Sequence, residues 1–281
     1  MAGFSGRRHW VAATVRGSVP APLAAGAPRL MLFAPLLVFA AVAFVGWELY
    51  VSLSDVRPQV LPAPSRVFRE AWHFRDLLWK NSVPTLKEMA IGFSISIAVA
   101  TLFAVLMDFF RTARRALYPA LVASQTIPII AIAPLLIIWF GFGLTPKIIV
   151  VALVTFFPVT VGWVDGFNST EKEAANLLRS MGASRWQIFW KVRLPSGLPS
   201  FFSGLRIAIT YAMVGAIFAE YVGAKEGLGI FMQLQKNSFR TDLVLGAVGV
   251  TAVISILLFL STYAMERLAI PWYFATRRAN V

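Results

Sequence analysis

Residue types that carry out catalysis are scarce in this sequence. The only histidines are His9 and His73, and there is no cysteine. Because these two residue types supply many metal sites and many acid–base or nucleophilic groups, we expect no catalytic residue, no metal site and no prosthetic group. The sequence also lacks G-x-x-x-x-G-K-[ST], whose backbone amides hold nucleotide phosphates. We therefore expect a protein that is not an enzyme and that does not hydrolyse ATP by itself.

Polar residues inside apolar segments are the other candidates for function. Burying them in lipid is costly, so they indicate either a path for a solute or hydrogen bonds between helices. For the hydroxyl groups and Gln125 both interpretations stay open. Glu220 is better placed for a gate near the outer end of its segment, with a position at the membrane interface as the alternative. Gln125 also precedes Pro128, which distorts a helix. The predicted path residues are Gln125, Thr126, Thr210, Tyr211 and Glu220.

The stretch from residue 168 to residue 200 is polar and charged in an otherwise apolar chain. Thr170 with Glu173, and Ser184 with Gln187, each have the spacing of a capping box. In this motif two side chains satisfy backbone amides at the start of a helix. The stretch therefore predicts two short helices.

Signals for turns and helix ends follow in the same stretch. Gly182 can turn the chain with a positive φ. We expect Pro195 to end the second helix and Pro199 to open the next, because proline is tolerated in a first turn but not in a helix interior. The apolar residues of both helices predict docking onto a partner, with a helix lying on lipid headgroups as the alternative. They are Leu177, Leu178, Met181, Trp186, Ile188, Phe189 and Val192.

The composition places these features in a membrane. The chain has 281 residues, of which 58% are hydrophobic and 14% charged, whereas soluble domains carry about a quarter charged residues. Several apolar runs reach about twenty residues, the length that crosses a bilayer as a helix. The sequence therefore predicts an all-α polytopic membrane protein. Basic residues between the spans account for the net charge of +13. We therefore expect the chain to contact membrane lipid and not to bind nucleic acid.

Six transmembrane helices are expected in one domain, residues 30–265, with tails at 1–29 and 266–281. More lysines and arginines lie on the side of the termini and of residues 168–200 than on the other, so we expect that side to be cytoplasmic. An amphipathic helix that begins at Ser65 and includes Leu78 is expected at the outer membrane surface. The expected spans are 30–53, 89–107, 118–140, 148–163, 201–221 and 243–264.

Residues 168–200 resemble the coupling loop of binding-protein-dependent ABC importer permeases. In that family a Glu-Ala-Ala triplet is followed by a glycine and then by Ile-x-Leu-Pro. The triplet departs from the family pattern here, because Glu173-Ala174-Ala175 stands three residues early. The glycine and the last motif, with valine in place of isoleucine, are represented by Gly182, Val192, Leu194 and Pro195.

Three further segments resemble the nitrate/sulfonate/taurine branch of those permeases, and the resemblance covers residues 61–265. The segments are LPAPSRV, SQTIPIIAIAPLLIIWFGFGLTPKI and SGLRIAITYAMVGAIFAEYVGAKEGLG. The last two are most similar to permeases for thiamine-pyrimidine precursors and related heterocycles.

The resemblance implies a type I ABC importer permease with a cytoplasmic coupling helix between its fourth and fifth spans, in a prokaryotic inner membrane. A homodimer would receive a small solute from an extracytoplasmic binding protein. ATP would be used by a separate ATPase subunit, present in two copies. The implied coupling residues are Glu173, Gly182, Ala183, Ser184, Trp186, Phe189, Leu194 and Pro195.

The nature of the solute and one alternative function stay open. The resemblance implies a thiamine-pyrimidine precursor or other heterocycle, or else a sulfonate, nitrate or taurine. Because Arg206 is the only cation inside the expected spans, the sequence favours a neutral or heteroaromatic solute over an anion. The alternative is a secondary transporter driven by an ion gradient, for which buried acidic relays and repeated broken helices would be typical.

Overall fold

The computed structural model describes residues 29–274, and within this range the chain folds into helices and turns with no strand. This confirms the all-α prediction. The α-helices are α1 (Arg29–Leu53), α2 (Pro64–His73), α3 (Arg75–Phe109), α4 (Arg111–Ser124), α5 (Ile129–Phe140), α6 (Leu144–Asn168), α7 (Lys172–Ser180), α8 (Arg185–Ile188), α9 (Leu194–Gly223), α10 (Leu228–Asn237) and α11 (Thr241–Ala269).

Five helical segments of the described chain are long and apolar enough to cross a membrane. Helices α4 and α5 make a sixth only as a pair that is bent by 99°. The predicted number of six spans therefore holds when this bent pair counts as one. The five segments are Ala34–Leu53, Arg75–Phe109, Leu144–Asn168, Arg185–Gly223 and Thr241–Ala269.

The chain divides into two compact units. The first ends at Leu49 and contains most of α1, an apolar helix of 25 residues with Pro35 inside it. The second begins at Tyr50 and contains all the other helices. The predicted N-terminal tail lies outside the described residues as far as residue 28. The predicted C-terminal tail begins inside α11, which continues to Ala269.

Helices α6 and α9 approach each other closely because glycines face each other between them. A Cβ atom on Gly162 would lie 2.9 Å from the carbonyl oxygen of Ser200, and one on Gly166 would lie 2.7 Å from the Cα of Gly197. Small residues at such positions let helix backbones come together inside a membrane. Three small residues that recur every four positions on α9 are all buried. They are Gly204, Ala208 and Ala212.

Aromatic rings fill the space beside this glycine contact. Trp163 of α6 stacks on Phe201 of α9, with the ring centroids 4.2 Å apart, and on Phe167 at 5.3 Å. Its indole N–H donates a hydrogen bond of 3.0 Å to the hydroxyl of Thr101 on α3. Trp163 therefore connects the three helices that form the core.

The amphipathic helix predicted from Ser65 to Leu78 ends earlier than expected. Helix α2 stops at His73, and the buried Leu78 belongs to α3. An ion-pair network fastens α2 to α11. Arg66 lies 3.2 Å from Asp242, and Arg240 bridges Asp242 at 3.0 Å and Glu70 at 2.7 Å. Helix α2 is therefore packed on the protein, which hydrophobic patterning alone did not reveal.

The predicted span 118–140 is broken into α4 and α5. The break includes Gln125 and Thr126 and ends at Pro128, after which α5 begins. Proline has no N–H to continue the helix, and its ring disfavours helical backbone in the residue before it. The distortion predicted at Pro128 is thus a bend of 99°.

Candidate functional site

Residues 168–200, here called the coupling segment, contain two short helices joined by a turn, as predicted. Gly182 stands at that turn with φ +82°, and a Cβ atom there would meet no other atom within 4 Å. Backbone conformation, and not crowding, therefore requires glycine. The turn is closed by the N–H of Ala183, which donates to the carbonyl of Leu178 at 2.9 Å.

The capping box predicted at Ser184 is confirmed. The Gln187 N–H donates to the Ser184 hydroxyl at 3.3 Å, and the Ser184 N–H donates to the Gln187 side chain at 2.8 Å. The box predicted at Thr170 and Glu173 is wrong. Helix α7 begins one residue later than that box requires, with Glu171 at the N-cap and no side-chain capping bond. Glu173 instead lies in the first turn of α7, where its negative charge interacts favourably with the positive end of the helix dipole.

The prediction that Pro195 ends the second short helix is also wrong. A π turn, Phe189–Arg193, continues directly into α9, whose first residue is Leu194. Proline clashes with the carbonyl of the preceding helical turn, and a π turn is a known way to accommodate such an interruption. The second short helix and the span that follows it therefore form one continuous helical path, Arg185–Gly223.

The aromatic residues of the coupling segment divide into a buried and an exposed group. The ring of Phe189 is buried, with its centroid 5.2 Å from that of Phe109 and 5.6 Å from that of Phe167. Ile188 is buried as well. The prediction that Phe189 offers its ring to a partner is therefore corrected, because it packs inside this chain.

Four large apolar side chains of the coupling segment remain more than half exposed. We call this surface the coupling face. Trp186 belongs to it, although one side of its ring stacks on Phe189 at 5.8 Å. The coupling face consists of Leu177, Met181, Trp186 and Trp190.

A cavity of about 1060 Å³ lies between α4, α5, α6 and α9. Of the predicted path residues, Gln125 and Tyr211 line it. Thr126, Thr210 and Glu220 do not. The hydroxyls of both threonines donate to carbonyls of their own turn of chain, at 2.7 Å each.

Aliphatic side chains make up most of the cavity wall, with five aromatic rings and a few small polar groups among them. Asp165 is the one acidic residue in it, and no lysine or arginine occurs among its described lining residues. The break after α4 adds Ser124 and Gln125 to the wall. The aromatic lining residues are Phe103, Phe156, Phe157, Tyr211 and Phe218.

Glu220 is fully buried near the C-terminal end of α9 and fastens three helices together. Its carboxylate accepts a hydrogen bond of 2.6 Å from Thr85 of α3 and one of 2.5 Å from the backbone N–H of Gly229 in α10. The N–H of Leu228 donates in turn to Thr85 at 2.9 Å. Glu220, predicted as a gate residue, therefore holds the first turn of α10, a helix that lies between the expected fifth and sixth spans.

A buried ion pair that the sequence reading missed lies next to Glu220. The Lys147 ammonium on α6 lies 2.5 Å from the Glu88 carboxylate on α3. Glu88 and Lys147 lie just outside the expected spans 89–107 and 148–163. No local pattern predicts this pair, because its members are 59 residues apart.

Comparisons with known proteins agree on one family. Residues 92–274 match the family described as the binding-protein-dependent transport system inner membrane component. The formylaminopyrimidine transport permease protein ThiX of Halalkalibacterium halodurans is 37% identical, over 84% of this chain and 94% of its own length. The taurine transport system permease protein TauC of Escherichia coli K12 is 31% identical, over 83% and 87%.

Solved structures agree on the fold. An inward-facing MetNI methionine ABC transporter matches 70% of this chain and 96% of its own, with a TM-score of 0.56 and 20% identity. An amino acid ABC transporter matches 73% and 97%, with a TM-score of 0.57 and 16% identity. Both matches support a type I importer permease fold. The chain belongs to the binding-protein-dependent transport system inner membrane components, the non-catalytic, multi-pass permease subunits of ABC importers.

Proposed function

We propose that this permease carries a neutral heteroaromatic solute, of the class of the thiamine-pyrimidine precursors, across the inner membrane. Two copies of the chain work with two copies of an ATPase subunit and with an extracytoplasmic binding protein. The termini and the coupling segment lie in the cytoplasm. The solute crosses through the cavity that Gln125 and Tyr211 line.

The charge of the cavity wall carries this proposal. Sulfonates, nitrate and the sulfonate group of taurine are anions, and a path for them gains from a lysine, an arginine or helix N-termini. The described wall offers a carboxylate, Asp165, and neither a lysine nor an arginine. Its one feature that favours an anion is the N-terminus of α5, at Pro128 and Ile129. Arg206 lies 3.3 Å from Glu266, and Lys147 pairs with Glu88; neither cation lines the cavity.

The five aromatic residues of the cavity wall support the same solute class. A heteroaromatic ring gains by offset or edge-on packing against phenylalanine and tyrosine rings. Amide and hydroxyl groups such as those of Gln125 and Ser124 can pair with ring nitrogens and amino groups of a pyrimidine. The relative ThiX carries formylaminopyrimidine in its name, and a riboflavin transport system permease protein, RibX of Chloroflexus aurantiacus, is 34% identical over 81% of this chain and 86% of its own.

The coupling face supports the role of the coupling segment. Its four exposed apolar side chains favour contact with another protein, because exposed apolar patches on a protein mark interaction sites. Gly182, Ala183 and Ser184 shape the turn between α7 and α8. Glu173 lies at the start of α7, and Leu194 with Pro195 begins the span that receives the movement.

ATP hydrolysis by the complete complex in proteoliposomes tests the proposal. The complex is assembled from this permease, its ATPase subunit and its extracytoplasmic binding protein. We expect formylaminopyrimidine, and not taurine, to stimulate hydrolysis and to accumulate inside the vesicles. Stimulation by taurine or a sulfonate alone would contradict the solute class, and hydrolysis by the permease without the ATPase would contradict the division of labour.

The binding protein also selects the solute, so the permease needs a test of its own. Tyr211→Ala removes a ring from the cavity wall, and we expect it to lower solute-stimulated hydrolysis and uptake. Thr210→Ala is the matched control, because the neighbouring hydroxyl bonds within its own helix and does not line the cavity. Equal effects of the two variants would argue against a path along this wall.

A further inference from the structure

An ion pair joins the coupling segment to the corner between α3 and α4. The Asp108 carboxylate, one residue before the end of α3, pairs with the Arg193 guanidinium at the end of the π turn. The Asp108 side chain is 10% exposed and that of Arg193 is 34% exposed. A charge pair that is this well shielded from water is screened less by salt than a surface pair.

Two further contacts hold the same corner. Arg114 of α4 donates a hydrogen bond of 2.9 Å to the Asn168 side chain at the start of the coupling segment. The Phe109 ring lies 5.6 Å from Trp186 and 5.2 Å from Phe189. The corner therefore contacts the coupling segment at Asn168, at Trp186 and Phe189, and at Arg193.

The corner leads directly into the wall of the cavity. A single extended residue, Phe110, separates α3 from α4. Helix α4 then contributes four lining residues before the chain bends at Pro128. A displacement of the corner along α4 therefore moves the cavity wall, since a helix transmits movement as a rigid element. The four residues are Leu117, Ala120, Leu121 and Ser124.

We propose that Asp108 and Arg193 form a joint that stays closed through the transport cycle and passes movement of the coupling segment to α4 and the cavity wall. This route acts in addition to the covalent route through α9. Asp108 and Arg193 are positioning residues, and their role rests on the proposed function of the coupling segment. Without the joint, ATP hydrolysis would move α9 but would leave the α4 wall behind.

Charge reversal and charge exchange test the joint in the complete complex. Asp108→Arg and Arg193→Asp each place two like charges together. We expect each to lower the solute carried per ATP hydrolysed about fivefold or more, the range typical of an energetic coupling between sites. The double variant restores the pair in reverse and is expected to regain most of the coupling. Lys191→Asp is the matched control, because this exposed cation lies on the same π turn.

The readout separates the joint from a merely stabilising ion pair. A stabilising role would lower the amount of folded protein, and hydrolysis and transport would fall in parallel with an unchanged ratio. An unchanged ratio of transport to hydrolysis in both single variants would overturn the joint. So would a double variant whose ratio is no higher than that of the single variants. If the wild-type complex showed no ATP-driven uptake, that result would instead overturn the proposed function on which the joint rests.

A cross-link tests whether the joint remains closed. The chain has no cysteine, so Asp108→Cys and Arg193→Cys can be joined by a short bis-methanethiosulfonate without labelling any other residue of this chain. Each thiol displaces methanesulfinate and forms a disulfide, which a reductant cleaves. We expect the cross-linked variant to transport at least as well as its reduced, unlinked form, because the link replaces the ion pair. Transport that stops on cross-linking and returns on reduction would show that the two residues must separate, which contradicts the proposal.

Discussion

Gly182 holds the turn of the coupling segment in a conformation that a side chain would strain. Its φ is +82°, with no atom close enough to obstruct a Cβ. We expect Gly182→Ala to destabilise the turn by about 1 kcal/mol. The ratio of uptake to hydrolysis should fall clearly, whereas the midpoint of thermal unfolding should change little. Gly182→Pro should uncouple hydrolysis from transport altogether, because proline cannot adopt a positive φ. The measurements are the ratio of uptake to hydrolysis and the midpoint of thermal unfolding.

Gly249 supplies the control for this substitution. It lies in α11 with open space around it and without a positive φ. Gly249→Ala should keep full coupling and should stabilise the helix slightly. Unimpaired coupling in Gly182→Pro would refute the role of this turn.

At the scale of single residues, the sequence predicted conformations better than environments. Local spacing was sufficient for the positive φ of Gly182 and the capping box at Ser184, but the same spacing at Thr170 and Glu173 predicted a box that does not form. Phe189 is different, because its burial depends on Phe109 and Phe167, which belong to distant helices. An amphipathic pattern shows that a ring will be covered but not which chain covers it.

At the scale of helices, the buried Lys147–Glu88 pair connects α6 to α3. Their side chains are 10% and 3% exposed, and the Glu220 carboxylate lies near enough to interact with both. Lys147→Met leaves two buried carboxylates without their cation, and we expect a destabilisation of about 3 kcal/mol or more. Adding Glu88→Leu should recover much of this loss, since an apolar pair removes the unpaired charge. Thermal unfolding in detergent micelles measures both effects.

An exposed pair serves as the control for the buried one. Arg75 and Asp76 lie 3.9 Å apart with side chains that are more than half exposed. Asp76→Asn should change stability by less than about 1 kcal/mol. A double variant at Lys147 and Glu88 that is less stable than Lys147→Met would show that Glu88 has another essential contact.

The helices also show where sequence patterns stop being informative. Apolar length located the spans, but Pro128 breaks one of them whereas Pro195 is accommodated by a π turn. Both prolines have the same local effect on backbone hydrogen bonds. Which outcome follows depends on packing around the helix, such as the burial of Phe189, the first residue of the π turn. The residues that provide this packing are distributed over the whole chain.

For the whole molecule, the family resemblance and the long apolar runs together predicted the architecture, whereas the contacts that tie the helices together could not be predicted. The ion pairs Asp108–Arg193 and Arg66–Asp242 join residues 85 and 176 positions apart. Nothing in the local sequence marks either partner. The cavity likewise forms only when the break at Pro128 brings α4 and α5 beside α9, so Gln125 and Tyr211 could be proposed separately but not placed in one wall.

The orientation of the chain in the membrane is the prediction on which the coupling segment depends. Ser180 at the end of α7 and Asn237 at the end of α10 are both exposed. Because the chain has no cysteine, each can be changed to cysteine and probed with a membrane-impermeant maleimide. The greater number of basic residues beside the coupling segment favours a cytoplasmic position for it. We therefore expect Ser180→Cys to react only in inside-out vesicles and Asn237→Cys only in right-side-out vesicles. The opposite pattern would place the coupling face outside the cell, where no ATPase subunit can reach it.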